Sequence, residues 1–208
     1  MATRQFLATH PEIFSLSYDR FAGLWNRIVD RHMAQPVQCS FLDKGVACMK
    51  ELFHKAGFAL SHSEASQNFQ MYMGYYQRHW RLFPDVLSCL EELKHLPLGI
   101  ISNADRQQQH GKLEQLGIKE RFAPIVLSAE VGIAKPDARI FETACQLANS
   151  SPAQCIYVGD HFELDALASA RAGMHAIWLA REQNMRAAPG VIVIDSLRSL
   201  AEAIASIS

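Results

Sequence analysis

No run of apolar residues approaches the ~20 needed to span a membrane, and residues 1–10 lack the apolar centre of a signal peptide. Cysteine is sparse. The five residues Cys39, Cys48, Cys89, Cys145 and Cys155 are odd in number, far apart and without a C-x-x-C pair. That excludes a disulfide framework and a zinc knuckle, and it leaves buried free thiols in a reducing compartment. The sequon Asn149-Ser150-Ser151 therefore carries little weight. An excess of either charge is missing too, with 20 Lys+Arg against 21 Asp+Glu, so the basic footprint of a nucleic-acid binder is absent. No G-x-G-x-x-G follows any candidate strand, which disfavours a dinucleotide-dependent dehydrogenase. Internal repeats and low-complexity tracts are absent as well, and Ala187-Ala188-Pro189-Gly190 reads simply as a loop. These absences place the protein in the cytoplasm, with neither a membrane nor a nucleic acid as partner.

What is present is ordinary globular material: 208 residues, 49% apolar and 20% charged. A chain of this length buries roughly 70% of its unfolded surface and needs no staples. Its two parts differ in texture. Residues 1–80 form the first part, and from about Tyr18 to Trp80 the spacing is helical: Phe21, Leu24, Trp25, Ile28 and Val29 share one face, as do Val46, Met49, Phe53 and Ala56, and then Phe69, Met73, Tyr76 and Trp80. Caps are expected at Ser17, at Asp43, and at Ser61 or Ser63, where Ser61 has Glu64 three residues on. A small helical bundle follows.

Residues 81–208 alternate short apolar runs with helical stretches, as a parallel sheet with crossover helices requires. The strands predicted are Leu98 to Ile101, Pro124 to Leu127, Cys155 to Val158, Ala176 to Leu179 and Val191 to Ile194. Helices are predicted near Arg106 to Leu116, Pro136 to Ala148, Glu163 to Ala172, and after a cap at Ser196. The fold class is α/β: a Rossmann-like, doubly wound parallel sheet in three layers, preceded by the helical bundle.

In such sheets ligands collect at the carboxyl ends of the strands. Ser102-Asn103 follows the first strand at once, where a hydroxyl and main-chain N–H groups can hold an anionic oxygen. The alternative is that Ser102 or Asn103 merely caps the next helix. Lys135 lies in Gly132-Ile133-Ala134-Lys135-Pro136-Asp137, where Pro136 can open a helix and the ammonium can reach back over the sheet edge. Alone it reads as a surface lysine. Asp160 closes the third strand and Asp165 follows five residues later, so the two carboxylates can converge as hard Mg²⁺ ligands do. The alternative there is an N-capping Asp160 with a solvated Asp165. Taken together, the three places describe a phosphate-plus-magnesium site.

Three stretches, Ile101-Ser102-Asn103-Ala104-Asp105, Gly132 to Asp137, and Val158-Gly159-Asp160-His161-Phe162-Glu163-Leu164-Asp165 followed by Ala170 to Met174, resemble the second, third and fourth motifs of the haloacid dehalogenase-like hydrolase superfamily. The likeness runs from Phe83 to Ile207, and residues 1–80 are similar in placement to the family's helical cap. Within the family the chain is most similar to capped phosphatases of small phosphorylated metabolites, nucleotidase-like members included. The resemblance implies a phosphoaspartyl mechanism with Mg²⁺. It implies that Ser102 and Asn103 bind the phosphoryl group and that Lys135 neutralises charge on phosphate and nucleophile. Asp160 would bind the metal, and Asp165 would serve the metal or Lys135. His161 is read as a neighbour of the site. Dehalogenase chemistry belongs to the same superfamily, but it too uses the family's first-motif Asp and has no need of Mg²⁺, so the Asp160 and Asp165 pair argues for phosphate.

One departure stands out. The family's first motif is a strand ending in D-x-D, and no D-x-D occurs in these 208 residues. Asp19, Asp30 and Asp43 lie in or at the caps of helical stretches, and Met1 to Ala8 is too short and too polar for that strand. The nucleophile and its general acid/base are thus missing, and so is a central strand between the first and third strands named above. The expectation is that those strands close up, that another segment inserts, or that a second copy donates a strand, giving a homodimer. Two explanations follow. In the favoured one, Met1 is not the natural start or the chain is shortened, and the full protein is a phosphatase. In the other, the protein is a non-catalytic member that binds a phosphorylated ligand or a protein partner.

Overall fold

The computed structural model describes residues 1–13, 18–33, 40–181 and 188–207; Ser17, Cys39 and Ala187 fall outside them. The chain forms two units, Met1–Arg81 and Leu82–Ser208. Among the described residues no helix is long and apolar enough to cross a membrane. The four described cysteines are free thiols, three of them buried and Cys155 half-buried.

The first unit contains α1 (Ala2–Ala8), α2 (Tyr18–Met33), α3 (Phe41–Lys55) and α4 (His62–Arg78). The amphipathic spacing works as expected in α2 and α3: Phe21, Trp25 and Ile28 pack with Val46, Met49 and Phe53, each large apolar side chain contributing about 1.5–3 kcal/mol by leaving water. On α4 the stripe is narrower than expected. Phe69 is buried, Tyr76 is 40% exposed, and Trp80 lies beyond the end of the helix. Ala2–Ala8 is helical too, and this α1 adds Phe6 and Leu7 to the same core. α4 starts with the expected capping box, Ser61 accepting from the Glu64 N–H while Glu64 accepts from the Ser61 N–H. α3 begins three residues earlier than expected: Ser40 is its cap, its Oγ accepting from the Asp43 N–H at 3.1 Å. Ser40 also donates to the Asp43 carboxylate, so Asp43 supports the cap from inside the first turn.

The second unit contains α5 (Val86–Glu92), β1 (Ile100–Ser102), α6 (Arg106–Gln115), β2 (Ile125–Leu127), α7 (Ser128–Val131), α8 (Ala138–Leu147), β3 (Ile156–Gly159), α9 (Ala168–Arg171), β4 (His175–Leu179), β5 (Val191–Ile194) and α10 (Leu200–Ala205). All strand pairs are parallel. Alternate residues point to opposite faces. Ile101, Val126 and Tyr157 pack with α8 and α9 on one side, whereas Ile156, Val158, Ile177 and Ile192 pack with α5 and α10 on the other. These are the three layers that the strand-helix alternation predicts.

The strands form two ladders: β1 pairs with β2, and β3 with β4 and β5 in that order. Among the described residues no ladder joins β1 to β3 and no other segment pairs between them, so these two strands do not close up within the chain. The helix expected from Glu163 is a π-helical turn, Phe162–Leu167, running into α9. Pro136 does not open α8, which starts at Ala138 with Asp137 as its cap.

Asp85, at the start of α5, is buried and accepts two hydrogen bonds from the Arg181 guanidinium (2.8 and 2.9 Å), one from Ser196 Oγ and one from the Leu197 N–H. The Arg181 guanidinium holds the Asp85 carboxyl well below the usual carboxylate range. This carboxylate ties α5 to the residues that follow β4 and β5.

Candidate functional site

β1, the turn that carries Lys135, and the turn after β3 bring three of the expected residues, Asn103, Lys135 and Asp165, into contact. Ser102 is the last residue of β1. It does not cap the next helix; that role belongs to Asp105, whose Oδ1 accepts from the Gln108 N–H. Asn103 does not cap α6 either. Its side-chain amide donates to the Lys135 carbonyl (2.9 Å) and accepts from the Lys135 N–H (2.8 Å). The side chain of Asn103 thus fixes the main chain at Lys135, and what it can offer an anion is main chain.

Lys135 is not a surface lysine. Its side chain is 12% exposed, and Nζ lies 2.5 Å from Asp165 Oδ1 and 3.0 Å from the Tyr157 hydroxyl. Asp165 is buried. Its Oδ1 also accepts from Tyr157 (3.1 Å), and its Oδ2 accepts from the His161 N–H (2.9 Å). A buried carboxylate is costly unless paired and hydrogen-bonded, and this one is both. Of the two roles the sequence leaves for Asp165, this geometry supplies the contact with Lys135.

Local backbone places that carboxylate. The π-helical turn starts with the Asp165 and Ala166 N–H groups both reaching the His161 carbonyl (2.8 and 3.4 Å), which widens the turn and carries Asp165 over the end of β3. Gly159 is there to receive it: a Cβ on Gly159 would lie 2.3 Å from the Asp165 Cβ and 2.7 Å from its Oδ2. Asp160 is exposed, and its carbonyl accepts from Trp178 Nε1 at 3.1 Å. It does not cap the turn; His161 does, its Nδ1 accepting from the Leu164 N–H.

The donor set does not make a divalent-metal site by itself. Both oxygens of Asp165 are engaged, and among the described residues there is no group of three or more His, Cys, Asp or Glu side chains placed to hold an ion. What the arrangement does offer is a cation held in place by a carboxylate and a phenol, with the phenol in reach of the Ile101 carbonyl on the strand that ends in Ser102. That chemistry suits an oxyanion.

Tyr157 is the site residue that sequence reasoning passes over. The available signal was a phenol in the middle of an otherwise aliphatic strand, two residues before Gly159 and therefore on the same face. Burial and the adjacent Asp165 carboxylate push its hydroxyl pKa far above the ordinary value, so it keeps its proton.

Known proteins resemble this chain in sequence and in fold. The chain is 37% identical over 131 residues to glyceraldehyde 3-phosphate phosphatase of Methanothermobacter thermautotrophicus, covering 59% of this chain and 58% of that one. It is 36% identical over 111 residues to the pyrimidine 5'-nucleotidase YjjG of Escherichia coli, covering 51% and 49%. The matched stretch spans about half the length of these curated relatives. Among solved structures, the putative HAD-hydrolase YfnB from Bacillus subtilis, bound to magnesium, superposes with a TM-score of 0.82 at 17% identity over 98% of this chain and 89% of its own. The 2-haloacid dehalogenase from Pseudomonas syringae does so with 0.69 at 24% identity, over 100% and 89%. The sequence model of the haloacid dehalogenase-like hydrolases matches residues 6–173, and with more than half of the chain matched, the protein belongs to that family of hydrolases.

Proposed function

We propose that this hydrolase acts on phosphate esters of small metabolites, with Mg²⁺, in a form that supplies the aspartate pair its 208 residues lack. By themselves these residues bind the phosphoryl group without turning it over. The observation that carries the reading is the Lys135 ammonium, held by Asp165 and Tyr157 next to the end of β1. Lys135 and Ser102 would take the phosphoryl oxygens. Asp160 would be the carboxylate for a metal that also needs the missing pair. Matches to a triose phosphate phosphatase and to a nucleotidase support a small phosphorylated substrate. The second reading, a non-catalytic phosphate-binding protein, is favoured by the absence of D-x-D.

The test is calorimetric titration of the 208-residue chain with inorganic phosphate, beside a p-nitrophenyl phosphate assay with and without Mg²⁺. Binding that is lost in Lys135→Met, together with background turnover, is the expected result. An unchanged affinity in Lys135→Met removes the phosphate reading. Ready Mg²⁺-dependent turnover by the 208 residues removes the claim that they need a further aspartate pair.

A further inference from the structure

We infer that Tyr157 is a positioning residue for Lys135, its hydroxyl fixing the direction in which the ammonium presents its remaining N–H to a ligand. The inference rests on the phosphate reading for what that ligand is, but its geometry stands apart from it.

Counting protons makes the case. An ammonium has three N–H donors. Among the described residues two are taken, by Asp165 Oδ1 and by the Tyr157 oxygen. One is left for a ligand. An ammonium turns about its Cε–Nζ bond, and the phenol adds to the Asp165 contact a second one that resists that turning.

Tyr157 can do this because its own hydrogen has somewhere else to go. Accepting from Lys135, the hydroxyl must donate elsewhere, and two acceptors lie in reach: Asp165 Oδ1 at 3.1 Å and the Ile101 carbonyl at 3.3 Å. The second belongs to the residue before Ser102 on β1. No backbone ladder joins β1 to β3 among the described residues, so this hydroxyl is a side-chain link between the strand that ends in Ser102 and the strand that leads to Asp160. The ring is steadied by an edge-on contact with Phe141, centroids 5.1 Å apart. Packing accounts for a ring at 157; it does not account for an oxygen that touches Lys135, Asp165 and Ile101 together.

The experiment compares the 208-residue chain with Tyr157→Phe, which keeps the ring and its packing. Lysine is labelled with ¹⁵N at Nζ, and the Lys135 signal is assigned with Lys135→Arg. In the native chain the Lys135 ammonium should give a resonance apart from the exposed lysines. In Tyr157→Phe it should shift and exchange with water about tenfold faster, with inorganic phosphate binding about tenfold weaker, the scale of one hydrogen bond to a charged group. Amide signals away from β3 should stay in place. An unchanged Lys135 resonance overturns the inference, whatever the phosphate affinity. If the native chain binds no phosphate, the proposed function fails while the resonance still decides the role of Tyr157. Should Tyr157→Phe misfold, the chain grown with 3-fluorotyrosine keeps the ring and weakens the oxygen as an acceptor. The same resonance must then move, and its failure to move overturns the inference.

Discussion

Two glycines in two regions of the molecule do the same thing for opposite reasons. In α3 of the helical unit, a Cβ on Gly45 would meet the Phe69 ring at 2.2 Å; at the end of β3 in the sheet unit, a Cβ on Gly159 would meet Asp165 at 2.3 Å. The first gap admits an apolar ring and completes a core. The second admits a charge, which is tolerable only because Lys135, Tyr157 and the His161 N–H wait for it. The helical unit is held by burial of apolar surface, where errors cost in proportion to volume. In the sheet unit two buried carboxylates, Asp85 and Asp165, add a different liability, in which one missing partner strands a charge.

Removing single partners should separate the two regimes. Lys135→Met leaves Asp165 without its cation and should destabilise the sheet unit by about 4 kcal/mol, read as faster amide exchange in β3 and β4 with α3 and α4 unaffected; equal losses in both units would break the comparison. Met49→Ala, which empties a fully buried site in the helical core, should cost about 3 kcal/mol and confine its effect to that unit. Gly45→Ala and Gly159→Ala should each cost about 2 kcal/mol through overpacking, yet only Gly159→Ala should also weaken phosphate binding, because it displaces Asp165.

Acid sharpens the contrast further. The Asp85 carboxyl titrates lower in the folded chain than its unfolded value of about 4. Its stabilisation is therefore complete above that value and lost as pH falls through the folded pKa. Urea midpoints of the sheet unit should drop below about pH 4 more steeply in the native chain than in Asp85→Asn. The smallest effect belongs to Ser61→Ala, about 1 kcal/mol for loss of a cap on α4, seen in thermal unfolding of the helical unit.

Periodicity reached the elements well because both periods were clean. Val191 to Ile194 is β5 itself, and Phe21, Trp25 and Ile28 are buried as their spacing requires. It reached less where polar groups decide geometry. α3 starts at Ser40 because a serine three residues upstream outcompetes Asp43 as acceptor. α5 gives no periodic signal because its one buried residue, Cys89, makes no repeating face. At the site, the placement of Ser102 at the end of β1 and of Lys135 and Asp165 in the segments that follow β2 and β3 is legible. The pairing of Lys135 with Asp165 was one of two open roles. The parts played by Asn103 and Tyr157 were not legible, because each acts on atoms 32 and 22 residues away in sequence, and spacing carries no such information. Asp85 was missed for the same reason: its partner Arg181 lies 96 residues on.

The two bonds between Asn103 and the peptide of Lys135 also set a clock. A primary amide can satisfy an N–H and a C=O together only because one of its ends donates and the other accepts. Hydrolysis of that side-chain amide, which takes up water and releases ammonia, puts an oxygen against the Lys135 carbonyl and turns attraction into repulsion. The lock is reversed. A preparation of this protein should therefore lose its hold on Lys135 with age, one unit of mass at a time, with no change in its gene.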